Sequence, residues 1–269
     1  MGTSGGTPGR FSKLENAGQD GKTAAGIYQE VERPMMWTQQ NGKWKEAPLH
    51  NGAIGLSAFI VCNGPSLAAI DVERLRGPGR VVVAVNNAAP KVRPDWWVGM
   101  DTPDCYDHSI FAGAYPKLVR PTLRDKFDGL PFVFTLDILE NVAFYDGGEK
   151  DTFRWDSDTF RIALQLAVYL GCKDVFLFGV DLDTSKGDYA DGNYLTDEQR
   201  AYNQKLYDTT FEFLAWHIEN RPAVQIISAS PGSRINELMP FFSLDSLVSS
   251  IEAKTPKGRK HGHVSESVT

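Results

Sequence analysis

An α/β fold, a mostly parallel sheet flanked by helices in a single domain with flexible termini, is predicted by three features of this sequence. Short, wholly apolar runs such as Val81-Val-Val-Ala-Val85 have the character of strands buried on both faces. Between them lie segments with apolar residues at helical spacing, as in Ile162, Leu166, Tyr169 and Leu170. The apolar runs end in polar residues, Asn63, Asn86, Asp101 and Asp181, at the edge where open α/β sheets receive ligands.

Composition narrows the function. The 269 residues suffice for one sizeable domain with extensions. A formal net charge of -6 argues against a protein that coats nucleic acid. Cys62, Cys105 and Cys172 lack metal-ligand spacing and leave an odd thiol, so they read as small buried hydrophobes of a reducing compartment. There is neither a membrane-length apolar run nor an apolar signal segment at the N-terminus, and a soluble, cytoplasmic protein is expected.

Along the chain, residues 1–26 are rich in Gly, Ser and Thr and are expected to form a flexible arm, because they offer little to bury. Residues 27–52 carry Trp37 and Trp44 on either side of Asn41-Gly42, a hairpin turn signal. Such a hairpin either packs on the domain edge or offers an aromatic surface to the substrate side or, with the arm, to a protein partner. A nucleotide-binding domain is predicted over 53–252. It begins with a strand, Ala58–Cys62, a turn, Asn63-Gly64-Pro65-Ser66, and a helix from Leu67 to Leu75. At that turn Gly64 allows close approach of backbone to ligand, Pro65 presets a helical φ, and Ser66 offers a hydroxyl beside free N–H groups, which suits an anion. The alternative is a plain turn.

Further strands are expected at Val81–Val85, Trp96–Met100, Leu130–Thr135, Val175–Phe178 and Ala223–Ser228, with a short helix near His108–Ala114. Asp101 could equally be a helix N-cap. Residues 137–156 read as an irregular working loop. Ser157 is the expected N-cap of a helix closed by Gly171, and with Thr159 it marks a second candidate phosphate site. The polar stretch 182–197, with Tyr189, Tyr194 and Lys186, is either a surface loop or a lid over phosphates. A mostly buried helix is expected over 197–220 with His217 as a structural residue, a helix over 242–251 closes the domain, and 253–269 is expected to be a disordered basic tail whose His-Gly-His is too short to argue for metal.

Taken in order, Phe59-Ile-Val-Cys-Asn-Gly-Pro-Ser-Leu67, Val83-Ala-Val-Asn-Asn-Ala88, Pro94-Asp-Trp-Trp-Val-Gly-Met-Asp101, Ala163-Leu-Gln-Leu-Ala-Val-Tyr-Leu-Gly171, Val175-Phe-Leu-Phe-Gly-Val-Asp-Leu182 and Ser228-Ala-Ser-Pro-Gly-Ser233 resemble the MptE-like group of Rossmann-type proteins. That group includes 6-hydroxymethylpterin diphosphokinases, motility-associated flagellin glycosyltransferases and compact bacteriophage members, and is similar to sialyltransferases that use CMP-sialic acid. The resemblance implies a Rossmann-like domain and a nucleotide-containing substrate. It places Asn63, Gly64, Pro65 and Ser66 around the nucleotide, Asn86 at sugar or base, Ser157 and Thr159 at the second helix start, and Tyr189 and Tyr194 near the phosphates. The sialyltransferases' catalytic histidine has no counterpart here, since His217 lies within a helix. The diphosphokinases imply instead that Asp101 and Asp181 hold Mg2+.

Three functions follow as expectations: a nucleotide-sugar glycosyltransferase with Asp101 or Asp181 as base or metal ligand, a Mg-ATP pyrophosphokinase, or a non-catalytic nucleotide-binding or assembly protein.

Overall fold

The structure, a computed structural model, describes residues 36–136, 138–140, 153–155, 158–187, 189–190, 195–220 and 224–254. The arm (1–26), the tail beyond residue 254, Ser157 and Tyr194 lie outside the described residues. All described residues fall within one unit, Arg33–Thr269.

Its strands are β1 (Met36–Gln40), β2 (Lys43–Glu46), β3 (Ser57–Val61), β4 (Arg80–Val85), β5 (Trp96–Gly99), β6 (Lys117–Val119), β7 (Val133–Leu136), β8 (Ile138–Glu140), β9 (Phe153–Trp155), β10 (Asp174–Phe178) and β11 (Gln225–Ser228). Nine of them make one sheet in the order β11-β10-β3-β4-β5-β6-β7-β1-β2, parallel from β11 to β7. The β1–β2 hairpin, turned at Asn41-Gly42 with both residues at positive φ, extends that sheet antiparallel to β7. β8 and β9 form a separate parallel pair, so residues 137–156 are not wholly irregular.

Alternation along the strands divides the interior in two. Ala58, Ile60, Val81, Val83, Trp96 and Val98 face one core, shared with α2 (Thr159–Tyr169) and α3 (Asp197–Asn220). Phe59, Val61, Val82, Ala84 and Trp97 face the other, beneath the short α1 (Ala89–Val92) and α4 (Leu244–Lys254). Each fully buried Val, Leu, Ile or Phe contributes about 1.5–3 kcal/mol, so register is strongly held where both faces are covered.

Several expected elements change type. After β3 the chain makes two 3-10 turns, Pro65–Ala69 and Val72–Leu75, instead of one helix. The break at Ile70-Asp71, both extended, lets Leu67 and Leu75 reach the same core. His108–Ala112 is likewise 3-10. The strand expected from Leu130 begins only at Val133, because Phe132 sits at φ +58°. α2 is capped by Asp158, not Ser157: its carboxylate accepts the Phe160 N–H at 2.9 Å. α3 opens with a reciprocal capping box, in which Thr196 Oγ1 accepts from Gln199 N–H at 3.2 Å and Gln199 Oε1 accepts from Thr196 N–H at 2.9 Å.

The sequence reading missed β6, a three-residue strand that starts on a fully buried lysine. Lys117 Nζ donates to the carbonyls of Gly113 (2.6 Å), Tyr115 (3.1 Å) and Pro131 (3.4 Å) and lies 4.8 Å from the Tyr115 ring centre. Burial pushes its ammonium down to about 8. Between that value and the ordinary lysine range the unfolded chain binds more protons than the folded one, so stability should rise with pH. We expect the urea midpoint of the wild-type chain to climb relative to that of Lys117→Met from pH 8 to pH 10. Parallel curves for the two proteins would refute the assignment.

Candidate functional site

The order of the strands places a crevice before any side chain is considered. From β3 the chain proceeds outward through β4, β5, β6 and β7, then returns to lay β10 and β11 on the other side of β3. The connections diverge at the β3/β10 boundary, the switch point at which parallel sheets open a cleft beyond their carboxyl ends. A cavity of about 640 Å³ lies there, within the range of small-molecule sites. Asn63, Gly64, Pro65, Asn86, Asp101 and Asp181 line it, joined by Thr159 and Tyr189. Ser66 contributes through its backbone, which donates to Asp181 Oδ2 at 2.9 Å.

That hydrogen bond spans two loops packed backbone against backbone. Gly64 N–H donates to the Gly179 carbonyl at 2.9 Å. A Cβ at Gly64 would lie 2.3 Å from Asp181 Oδ2 and 2.4 Å from Gly179 O, and one at Gly179, itself at φ +64°, would lie 2.2 Å from Cys62 O. Gly64 therefore admits the neighbouring strand's loop, not a ligand. The turn is also no anion cradle: the N–H groups of Gly64 and Ser66 are committed, Pro65 has none, and Leu67 N–H returns to Gly64 O at 3.0 Å. At the α2 start the Asp158 carboxylate occupies the place a phosphate would take and bonds to the Thr210 hydroxyl from α3.

Burial pushes the Asp181 carboxyl above the usual range, although the Ser66 N–H and Lys186 pull the other way. Only Oδ2 is engaged by Ser66; among the described residues Oδ1 has no hydrogen-bond partner. Asn86 is held at φ +50°, with its carbonyl accepting from Trp97 Nε1 at 2.8 Å. Its side-chain Oδ1 is buried without a hydrogen-bond partner among the described residues, which costs about 1–3 kcal/mol unless a donor arrives. Asp101 is exposed at the rim, its N–H bound to the Tyr106 hydroxyl at 2.7 Å. Burial, reinforced by Asp158 and Asp181, holds the Cys62 thiol well above its ordinary range, which disqualifies it as a nucleophile at neutral pH.

Asp101 and Asp181 do not fit as joint ligands of one Mg2+. They follow β5 and β10, which β4 and β3 separate, so the strand ends that carry them lie three strand spacings, roughly 14 Å, apart. Two aspartate side chains do not close that gap to the ~2.1 Å oxygen–metal distances that Mg2+ requires. No group of three or more His, Cys, Asp or Glu that could hold a metal occurs among the described residues.

Some lining residues were not singled out from the sequence: Asp158, Asp183, and a face of α3 with Gln199, Tyr202, Asn203 and Leu206. At the cavity edge, Lys91 donates to Asn63 Oδ1 at 2.9 Å, and Ala190 N–H donates to Asn63 O at 2.9 Å, tying the segment around Tyr189 to the first turn. Helical spacing of 199, 202, 203 and 206 was available as a signal. His217 is buried within α3, away from the lining. No helix among the described residues is long and apolar enough to cross a membrane.

No family model matches this chain, and no curated protein does. The MptE-like resemblance therefore rests on its motifs. Among solved structures, the MAf glycosyltransferase of Magnetospirillum magneticum AMB-1 is 17% identical over 75% of this chain and 38% of its own, with a TM-score of 0.45. This chain thus spans well under half of that protein. The sialyltransferase CstII of Campylobacter jejuni, in complex with cytidine-5'-monophosphate, is 16% identical over 71% of this chain and 86% of its own, with a TM-score of 0.43. Both neighbours are glycosyltransferases, at identities too low to transfer chemistry.

Replacing Gly64 by Ala should destabilise the protein by about 1–3 kcal/mol, because the Gly179 carbonyl it would meet is backbone and Asp181 would have to leave the Ser66 N–H. Gly129→Ala, at φ +79° but with nothing within 4 Å, should cost less. Urea denaturation of the two variants makes the comparison, and equal losses would contradict this packing.

Proposed function

We propose that this chain is a transferase that binds a nucleotide-sugar at the β3/β10 crevice and passes the glycosyl group to an acceptor hydroxyl. The observation that carries the reading is the chemistry of the wall. The described lining holds four aspartates, Asp101, Asp158, Asp181 and Asp183, with Asn63, Asn86, Asn87 and Asn203, and no lysine, arginine or histidine. Carboxylates and amide oxygens suit a ligand rich in hydroxyl groups, as ribose and hexose are. Arg161 and Lys186 pair with Asp158 and Asp183, and Lys91 sits at the cavity edge on Asn63, so the lining carries little net positive charge for phosphates, least of all for a triphosphate. This favours glycosyl transfer from a low-charge donor over pyrophosphoryl transfer from ATP.

In that reading Asn86 Oδ1 accepts a hydrogen bond from the ligand, which removes the cost of its burial. Asp181, its carboxyl raised by burial and its Oδ1 available, takes the proton of the acceptor hydroxyl. The acceptor oxygen bonds to the anomeric carbon, the bond from that carbon to the phosphate oxygen breaks, and the nucleotide leaves with the electron pair. Asp101, exposed at the rim, contacts the incoming hydroxyl groups. The Ser66 N–H fixes the orientation of the Asp181 carboxylate.

Isothermal titration with CMP, UDP and ATP, each in EDTA and in Mg2+, tests the reading. CMP or UDP should bind without metal, and ATP should bind weakest. Tight binding of ATP alone, strictly with Mg2+, would replace glycosyl transfer by pyrophosphoryl transfer, and no binding of any nucleotide would remove both.

Two variants separate roles. Asn86→Gly relieves the left-handed strain and should leave stability unchanged or higher while weakening nucleotide binding about tenfold. Asp181→Asn should keep nucleotide affinity yet slow release of nucleotide from the sugar donor by about a hundredfold or more. An Asp181→Asn protein with undiminished turnover would end the base assignment.

A further inference from the structure

The cavity has a second wall. On α3, Gln199, Tyr202, Asn203 and Leu206 follow one another at helical spacing and face the same space as the strand ends. Tyr202 is 62% exposed, and of the exposed large apolar residues in the described chain it is the one that lines this cavity. An aromatic ring left open to solvent at the mouth of a polar cleft has an unused face, whose negative potential attracts C–H edges that carry partial positive charge.

The residues beside the ring are of the opposite kind. Gln199 spends its Oε1 on the α3 cap, which fixes the side chain and leaves both Nε2 protons without a partner among the described residues. Asn203 turns its amide nitrogen toward the Tyr189 hydroxyl at 3.4 Å, which leaves its Oδ1 without a hydrogen-bond donor among the described residues. An apolar platform flanked by one anchored donor and one anchored acceptor matches a pyranose, which presents a C–H face and a rim of hydroxyls.

We propose that this α3 face is the acceptor subsite and that the acceptor is a carbohydrate whose terminal pyranose stacks on Tyr202, with hydroxyls bound by Gln199 Nε2 and Asn203 Oδ1. The subsite rests on the glycosyl-transfer reading for its role as acceptor site, but its binding chemistry stands apart from the nucleotide. Tyr202 acts as a specificity residue. The protein would therefore glycosylate glycans rather than serine or threonine hydroxyls, which offer no ring to stack.

Saturation-transfer NMR on the full chain tests this with methyl β-galactopyranoside and methyl β-glucopyranoside as probes and galactitol as the open-chain control. Ring C–H signals are expected from at least one pyranoside and none from galactitol. Tyr202→Phe should keep them, whereas Tyr202→Ala should weaken them about fivefold; thermal melting of both variants checks that an exposed substitution leaves the fold intact. No pyranoside signal in the wild-type chain, equal signals in Tyr202→Ala, or equal signals from galactitol would each overturn the proposal. So would a loss of CMP affinity in Tyr202→Ala, which would assign the ring to a base, or a dimer abolished by that substitution in sedimentation. Failure of the wild-type chain to bind any nucleotide, with Tyr202-dependent pyranoside binding intact, would instead sink the nucleotide-sugar reading and leave this subsite standing.

Discussion

The crossing of two loops between β3 and β10 governs the rest of the site. Parallel strands lie about 4.8 Å apart, and for the segments beyond their ends to remain in contact both must lack side chains where they touch. Gly64 and Gly179 meet that demand, and the contact brings the Asp181 carboxylate onto the Ser66 N–H. Because Asp181 is held there, it is buried; because it is buried, its carboxyl rises; and because Ser66 uses its N–H on it, the turn that looks suited to an anion is closed to one. One packing constraint thus converts a phosphate-type turn into a carboxylate mount.

The remaining wall continues that electrostatic theme. Asp158 caps α2 and takes part in a network with Thr210 and Arg161 that pins α2 against α3. Arg161 is buried beside the Phe213 ring, so its charge is spent inside the molecule, not offered to the cavity. Lys186 turns to the Gly232 carbonyl and to Asp183 at 3.7 Å. Arg161 and Lys186 are therefore committed to holding elements together, Lys91 stays at the cavity edge on the neutral Asn63 amide, and the lining itself keeps a carboxylate-and-amide character.

Legibility varied with the range of the forces involved. β3, β4, β5 and β10 could be read as apolar runs, since a strand covered on both faces has no polar side to mask it. Asn41-Gly42 announced its hairpin, and the helical spacing of α2 was plain. β6 could not be read: three residues beginning with a lysine give no periodicity, and only the carbonyls of Gly113, Tyr115 and Pro131 make that lysine's burial tolerable. The cap at Asp158 and the 3-10 turns after Pro65 were misread because neighbouring residues offered equally good local chemistry, and packing chose between them.

By itself, the sequence determined the α/β class, most of the parallel strands, and a row of polar residues at their carboxyl ends, because these follow from periodicity and turn chemistry within a few residues. Only the tertiary structure decided what those polar residues do. Asp181 and Ser66 lie 115 residues apart in the chain, and whether Gly64 faces a ligand or a neighbouring loop depends on strand order, as does the separation that keeps Asp101 and Asp181 from sharing one metal ion. Strand order is set by the burial of two whole sheet faces, a property of the assembled chain and not of any segment of it.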